Sequence, residues 1–235
     1  MSEPGRAPAS LALTRTHRRS PVRVSAKPPA MNKLITPCTR RQSAGTAVLL
    51  GRRFARTGRY EIGPGLTDAE FARIERDYDF EFADDHRAFL AAGLPLNRPP
   101  QTGQTWARPW PNWRDGDPGD LRRQLGWPVE GALFDVEHNA LWHPPWGPRP
   151  ARTGKALKTA RQHLRRAPKM IPVYGHRYLP AGRGTYGHPV LSIYQTDIIF
   201  YGTDLADYIG CELDGRSASA DWTPPPLVPF WSEFL

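Results

Sequence analysis

Cysteine is nearly missing from this 235-residue chain: it has Cys38 and Cys211, far apart and in no C-x-x-C pairing. That excludes a disulfide framework and a cysteine-based zinc motif, and it points to a reducing, cytoplasmic setting. Long apolar runs are missing too. A membrane-spanning helix needs about 20 consecutive apolar residues, and the best run, Ala47 to Leu50, is far shorter. Acids are missing from one region only. Residues 1–57 hold twelve Lys and Arg against Glu3 alone, whereas residues 58–235 hold twenty against twenty-two Asp and Glu. The net charge of +9 therefore belongs to the first quarter of the chain; the rest, at −2, lacks the positive field of a nucleic-acid binder. No G-x-S-x-G, P-loop, H-E-x-x-H or internal repeat occurs.

Proline (26), glycine (21) and tryptophan (8) are what the chain has in quantity. Together Pro and Gly are one residue in five, which calls for short elements and many turns. Residues 1–57 mix Arg, Ser, Thr, Ala and Pro with few large apolar groups, and read as a disordered basic tail. Their composition also resembles an organelle transit peptide, and Met31 offers an alternative start. The length then leaves one domain, over 58–213, and a Pro- and aromatic-rich extension over 214–235 that is expected to wrap it without regular structure.

Within the domain, Leu66-Thr-Asp-Ala-Glu-Phe71 carries a capping box, Thr67 with Glu70, flanked by the staple pair Leu66 and Phe71. It predicts a helix over about 68–77. A second helix starts at Asp84, faces Ala88, Phe89 and Leu90 inward and ends at Gly93. Asp117-Pro118 opens a third, short one that Gly126 and Pro128 stop. Residues 131–138 alternate and read as a half-buried strand. Arg152–Arg166 reads as an amphipathic helix, followed by strands at Met170–Tyr174, Val190–Tyr194 and Ile198–Tyr201 and a closing helix through Leu205, Tyr208 and Ile209. Helices first and a tightly linked strand cluster afterwards predict an α+β domain, its sheet mainly antiparallel with helices on one side.

These elements resemble the SUKH superfamily, named for fungal cell-wall-assembly regulators of the Smi/Knr type. The stretches that carry the resemblance are Gly65-Leu66 with Ile74-Glu75, Phe82-Ala-Asp-Asp-His-Arg-Ala-Phe-Leu90, Met170-Ile-Pro-Val-Tyr174, Pro189-Val-Leu191 and Asp204-Leu-Ala-Asp-Tyr-Ile209. Together they lie across roughly residues 60–210. The chain departs from the family at Gly175-His-Arg-Tyr178, which is basic and aromatic where an acidic Gly-Asp turn is usual. The resemblance implies a compact non-catalytic module that binds another protein, in its bacterial branch an immunity protein against a toxin. It implies no catalytic residue and no cofactor.

Residue chemistry supplies the remaining candidates. Trp106 to Trp146 interleaves six Trp with prolines, and Trp favours near-surface cores and interface hot spots. Trp110, Trp113, Trp142 and Trp146, with Tyr174 and with His176 and Tyr178 from the divergent turn, are the candidate partner-binding residues. Gly182-x-Gly-x-x-Gly187 spells a dinucleotide fingerprint, but a strand and not a helix follows it, so a loop using glycine's backbone freedom accounts for it better. An alternative function, a metal- or His-dependent hydrolase or transferase, would use His138, His143 or His176; the spacing of His138, His143, His176 and His188 matches no familiar ligand set. Asp135 and Glu137 would share one strand face, where two solvated carboxylates are commoner than an acid/base pair. Lys155, Lys158, Arg161, Arg165 and Arg166 make one helix basic; with the tail they form the basis of a nucleic-acid alternative.

Overall fold

The computed structural model describes residues 61–97, 110–214 and 226–235. The basic tail, Trp106 and Trp222 lie outside the described residues. The fold is α+β. Strand β1 (Glu61–Gly63) precedes helix α1 (Asp68–Tyr78), helix α2 (Asp84–Ala92) and strand β2 (Leu94–Leu96). Helix α3 (Pro118–His138), a 3-10 turn (Pro144–Trp146) and helix α4 (Thr153–Leu164) follow. Then come strands β3 (Met170–Tyr174), β4 (Arg177–Pro180), β5 (Val190–Tyr194) and β6 (Asp197–Gly202), and helix α5 (Leu205–Asp214). A 3-10 turn at Trp231–Phe234 replaces the irregular wrap expected there. Its neighbours Val228, Phe230 and Trp231 are core residues.

Helix α1 starts as its sequence dictates. The Glu70 amide donates to Thr67 Oγ1 and the Thr67 amide returns the bond to Glu70 Oε2 at 2.7 Å, which satisfies two of the free amides at the helix start. Asp79 closes it in the left-handed region, φ 55°. Helix α2 has no side-chain cap, and its first amide, on Asp84, donates to Thr185 O at 2.8 Å. The glycine-rich loop is thereby explained: Gly184 N donates to Asp84 Oδ1 and Gly187 N to Asp85 Oδ2, each at 2.9 Å. It is pinned to the start of α2, with positive φ at Gly182, Gly184 and Gly187.

Helix α3 corrects the sequence reading most. A single 21-residue helix replaces the short helix and the strand over 131–138. Leu121, Leu125, Pro128, Ala132 and Val136 are among its buried positions, and their spacing of three to four is helical. Pro128 cannot donate to the carbonyl of Gln124. That carbonyl accepts instead from the hydroxyl of Tyr178 at 3.1 Å, so the helix continues through its proline. Asp135 and Glu137 consequently share no strand face. Asp135 is buried and accepts from Thr196 N at 2.8 Å and Thr196 Oγ1 at 2.6 Å, holding the β5–β6 turn, while Glu137 is exposed.

The large sheet is antiparallel in the order β3-β4-β5-β6, and β1 pairs with β2 separately. Alternation along the strands sends Ile171, Val173, Leu179 and Val190 into one core with Phe71, Ile74, Phe89, Tyr208 and Ile209. Met170, Tyr178, Leu191, Ile193 and Ile198 join Ala132, Val136, Ala160 and Trp231 in a second core. Helices therefore cover both faces of the sheet: α1, α2 and α5 on one, α4 and the second half of α3 on the other. The first half of α3, through Leu121 and Leu125, belongs with the first group.

Candidate functional site

The segment leading into α3 is anchored by one residue. Arg114 pairs through Nε with Glu70 and donates through Nη1 and Nη2 to the carbonyls of Pro64 and Gly65, each at 3.0 Å. The Arg114 hydrogen bond, backed by the Thr67 amide and hydroxyl, holds the Glu70 carboxyl at about 2, well below the carboxylate range. On the near side, Asn97 brackets the Trp110 backbone, donating to its carbonyl at 2.8 Å and accepting from its amide at 2.7 Å. These bonds fix the segment beside the N-terminal half of α3 and opposite the β3–β4 turn.

Between them lies a cleft of about 400 Å³. Trp110 and Asn112 line one wall, Leu121, Gln124 and Trp127 of α3 another, and Gly175, His176, Tyr178 and Tyr194 of the sheet the third, with Asp117 and Asp120 also lining it. Trp127 and Tyr194 are 43% and 56% exposed, far more than core aromatics, and their ring centroids stand 6.2 Å apart with planes at 56°. The approach depends on Gly131: a Cβ there would come within 2.9 Å of Gln195 Cα, so a bare glycine lets the β5–β6 turn reach the helix.

Of the candidate residues, the structure brings Trp110, His176 and Tyr178 together in this cleft. Tyr174 stands next to Trp110, ring centroids 4.6 Å apart. The other tryptophans go elsewhere. Trp113, 1% exposed, sits in an edge-to-face cluster with Tyr78 and Phe82 of the first core. Trp146 stacks between His163 and Phe230, and Trp142 packs edge-on against Trp146 while its indole N–H donates to Gly147 O at 2.6 Å. Trp146 therefore seats the C-terminal segment through Phe230, and Trp142 packs behind it. Sequence reasoning passed over Trp127 and Tyr194. Trp127 stands between Gly126 and Pro128, the pair read as a helix stop, and nothing local joins it to Tyr194.

The histidines occupy separate places. His138 is exposed at the end of α3, 3.6 Å from Glu137. His143 is buried among Trp146 and Phe230, its Nε2 2.5 Å from Glu233. Arg177 contacts the His176 ring, and burial lowers the pKa of His188. His86, which the sequence reading did not single out, is 1% exposed in α2, and burial pushes its pKa down to about 3. Among the described residues no group of three or more His, Cys, Asp or Glu is placed to hold a metal ion. No helix among them is long and apolar enough to cross a membrane. Lys155, Lys158 and Arg161 on α4 and Arg165 and Arg166 just after it are exposed, and Arg161 lies 3.7 Å from Glu130. No family model, curated protein or solved structure matches the chain.

Proposed function

We propose that this chain is a non-catalytic protein-binding module of SUKH type and that it holds its partner at the cleft between α3, the Trp110 segment and the sheet. The observation that carries this reading is the Trp127–Tyr194 pair. Two large rings from distant elements line a concave site and are left about half in water. Exposed aromatics beside a pocket are the usual energetic anchors of protein interfaces. The SUKH assignment draws support from element type. The Phe82–Leu90 stretch opens α2, Met170–Tyr174 is β3, and Asp204 caps α5 by accepting from Asp207 N at 2.7 Å. A toxin neutralised by an immunity protein is one partner that the resemblance implies.

The test is affinity capture from the host's extract and from candidate toxins with the full chain, compared with Trp127→Ala, Tyr194→Ala and a Phe134→Ala control. Phe134 is 46% exposed but does not line the cleft. One stoichiometric protein held by the wild type and by Phe134→Ala, and shed by the two cleft variants, is the expected result. Equal retention by all four proteins would sink the assignment of the cleft.

A further inference from the structure

We infer that the cleft takes a proline-containing, extended segment of its partner with an Arg or Lys beside the prolines, an inference that rests on the cleft being the binding surface. Three chemistries converge there. The faces of Trp127 and Tyr194 supply flat apolar surface, on which pyrrolidine rings pack with little loss of freedom. Their indole N–H and phenol O–H have no hydrogen-bond partner among the described residues, so both are donors awaiting acceptors. A polyproline II segment has no internal hydrogen bonds and presents such acceptors, its free backbone carbonyls.

The rim supplies the third chemistry. Asp117 and Asp120 both line the cleft and are exposed. The cation beside them, Arg123, is taken up by Asp120 at 2.7 Å. Asp117 caps α3, its Oδ1 accepting from Asp120 N at 2.9 Å, and among the described residues no cation pairs with its carboxylate, so a basic side chain of the ligand would meet a free negative charge there. Other shapes fit less well. A helix with its side chains is about 10–12 Å across and needs a long apolar groove, whereas this cleft holds about 400 Å³. An added strand needs a free ladder of backbone amides and carbonyls, and the cleft is walled largely by side chains of a helix, a loop and strand ends.

The experiment uses the full chain on arrays of nonapeptides carrying two prolines one to three residues apart and one Arg or Lys at each remaining position. Matched arrays replace the prolines by Ala or the base by Glu. The wild type is expected to select the proline-and-base peptides. Trp127→Ala should bind them at least tenfold more weakly, and the double variant Asp117→Asn, Asp120→Asn should lose the preference for a base. Asn serves as well as Asp at a helix N-cap, so that variant keeps α3. Equal retention on the alanine arrays overturns the inference. If Trp127→Ala still sheds the captured host protein, the cleft stands as the binding surface without the proline chemistry; if it sheds neither, both readings fall.

Discussion

The hydroxyl of Tyr178 and the ring of His86 carry the two sharpest single-residue consequences of this packing. Tyr178 spends its hydroxyl on the carbonyl that Pro128 leaves unbonded, and burial raises its pKa. Tyr178→Phe removes that donor from a part-buried acceptor, a change worth about 1 kcal/mol. The expected outcome is a lower denaturant midpoint together with faster amide exchange around residues 124–129; exchange unchanged there would separate the hydroxyl from the continuity of α3. His86 is neutral in the fold down to about pH 3 because burial disfavours its charged form, whereas in the unfolded chain it takes a proton near its ordinary 6.5. The unfolded state therefore gains a proton first, and stability falls as pH drops from about 6.5 toward 3. His86→Leu should flatten that limb in urea melts run across this range. The raised carboxyl of Asp85 acts with the opposite sign, but it is common to both proteins and cancels in the difference. Parallel curves for the two proteins would refute the assignment.

At the scale of elements, two of the three glycines of α3 make opposite demands. A Cβ on Gly126 would meet nothing within 4 Å, whereas one on Gly131 would press on the backbone of Gln195. Gly126→Ala should raise stability by about 0.5–1 kcal/mol through helix propensity alone. Gly131→Ala should lower it and move Tyr194 away from Trp127. Thermal melts of the pair give the signs, and a stabilising Gly131→Ala would contradict the close approach. The elements differ in how plainly they could be read. The capping box of α1 is local chemistry and announces itself in six residues. The closing helix and β3 are as clear. Gly126 and Pro128 are stop signals that a distant tyrosine overrides, so α3 was legible only with Tyr178 in place. Strand β4 escaped because Arg177-Tyr-Leu-Pro180 has no apolar alternation; Arg177 is buried with its guanidinium over the Tyr201 ring at 3.9 Å, a contact across the sheet.

Across the whole molecule, two cores on opposite faces of one sheet sort the aromatic residues. Trp113 and Trp231, each 1% exposed, are packing units whose loss to Ala costs about 3–5 kcal/mol; Trp127 is 43% exposed. This division was invisible in the sequence, where Trp113 and Trp127 look alike, because it depends on which distant elements close over each ring. Half of the candidate site was legible, Trp110, His176 and Tyr178, and the half that faces outward was not. In the function we propose, the outward half holds the partner. The most direct measurement places a photoreactive benzoylphenylalanine at position 127 of the full chain in its host, with position 134 as the control, and identifies what irradiation attaches. One discrete protein joined at 127 and absent at 134 is the predicted result; no adduct at 127, or the same adducts at both, would contradict it.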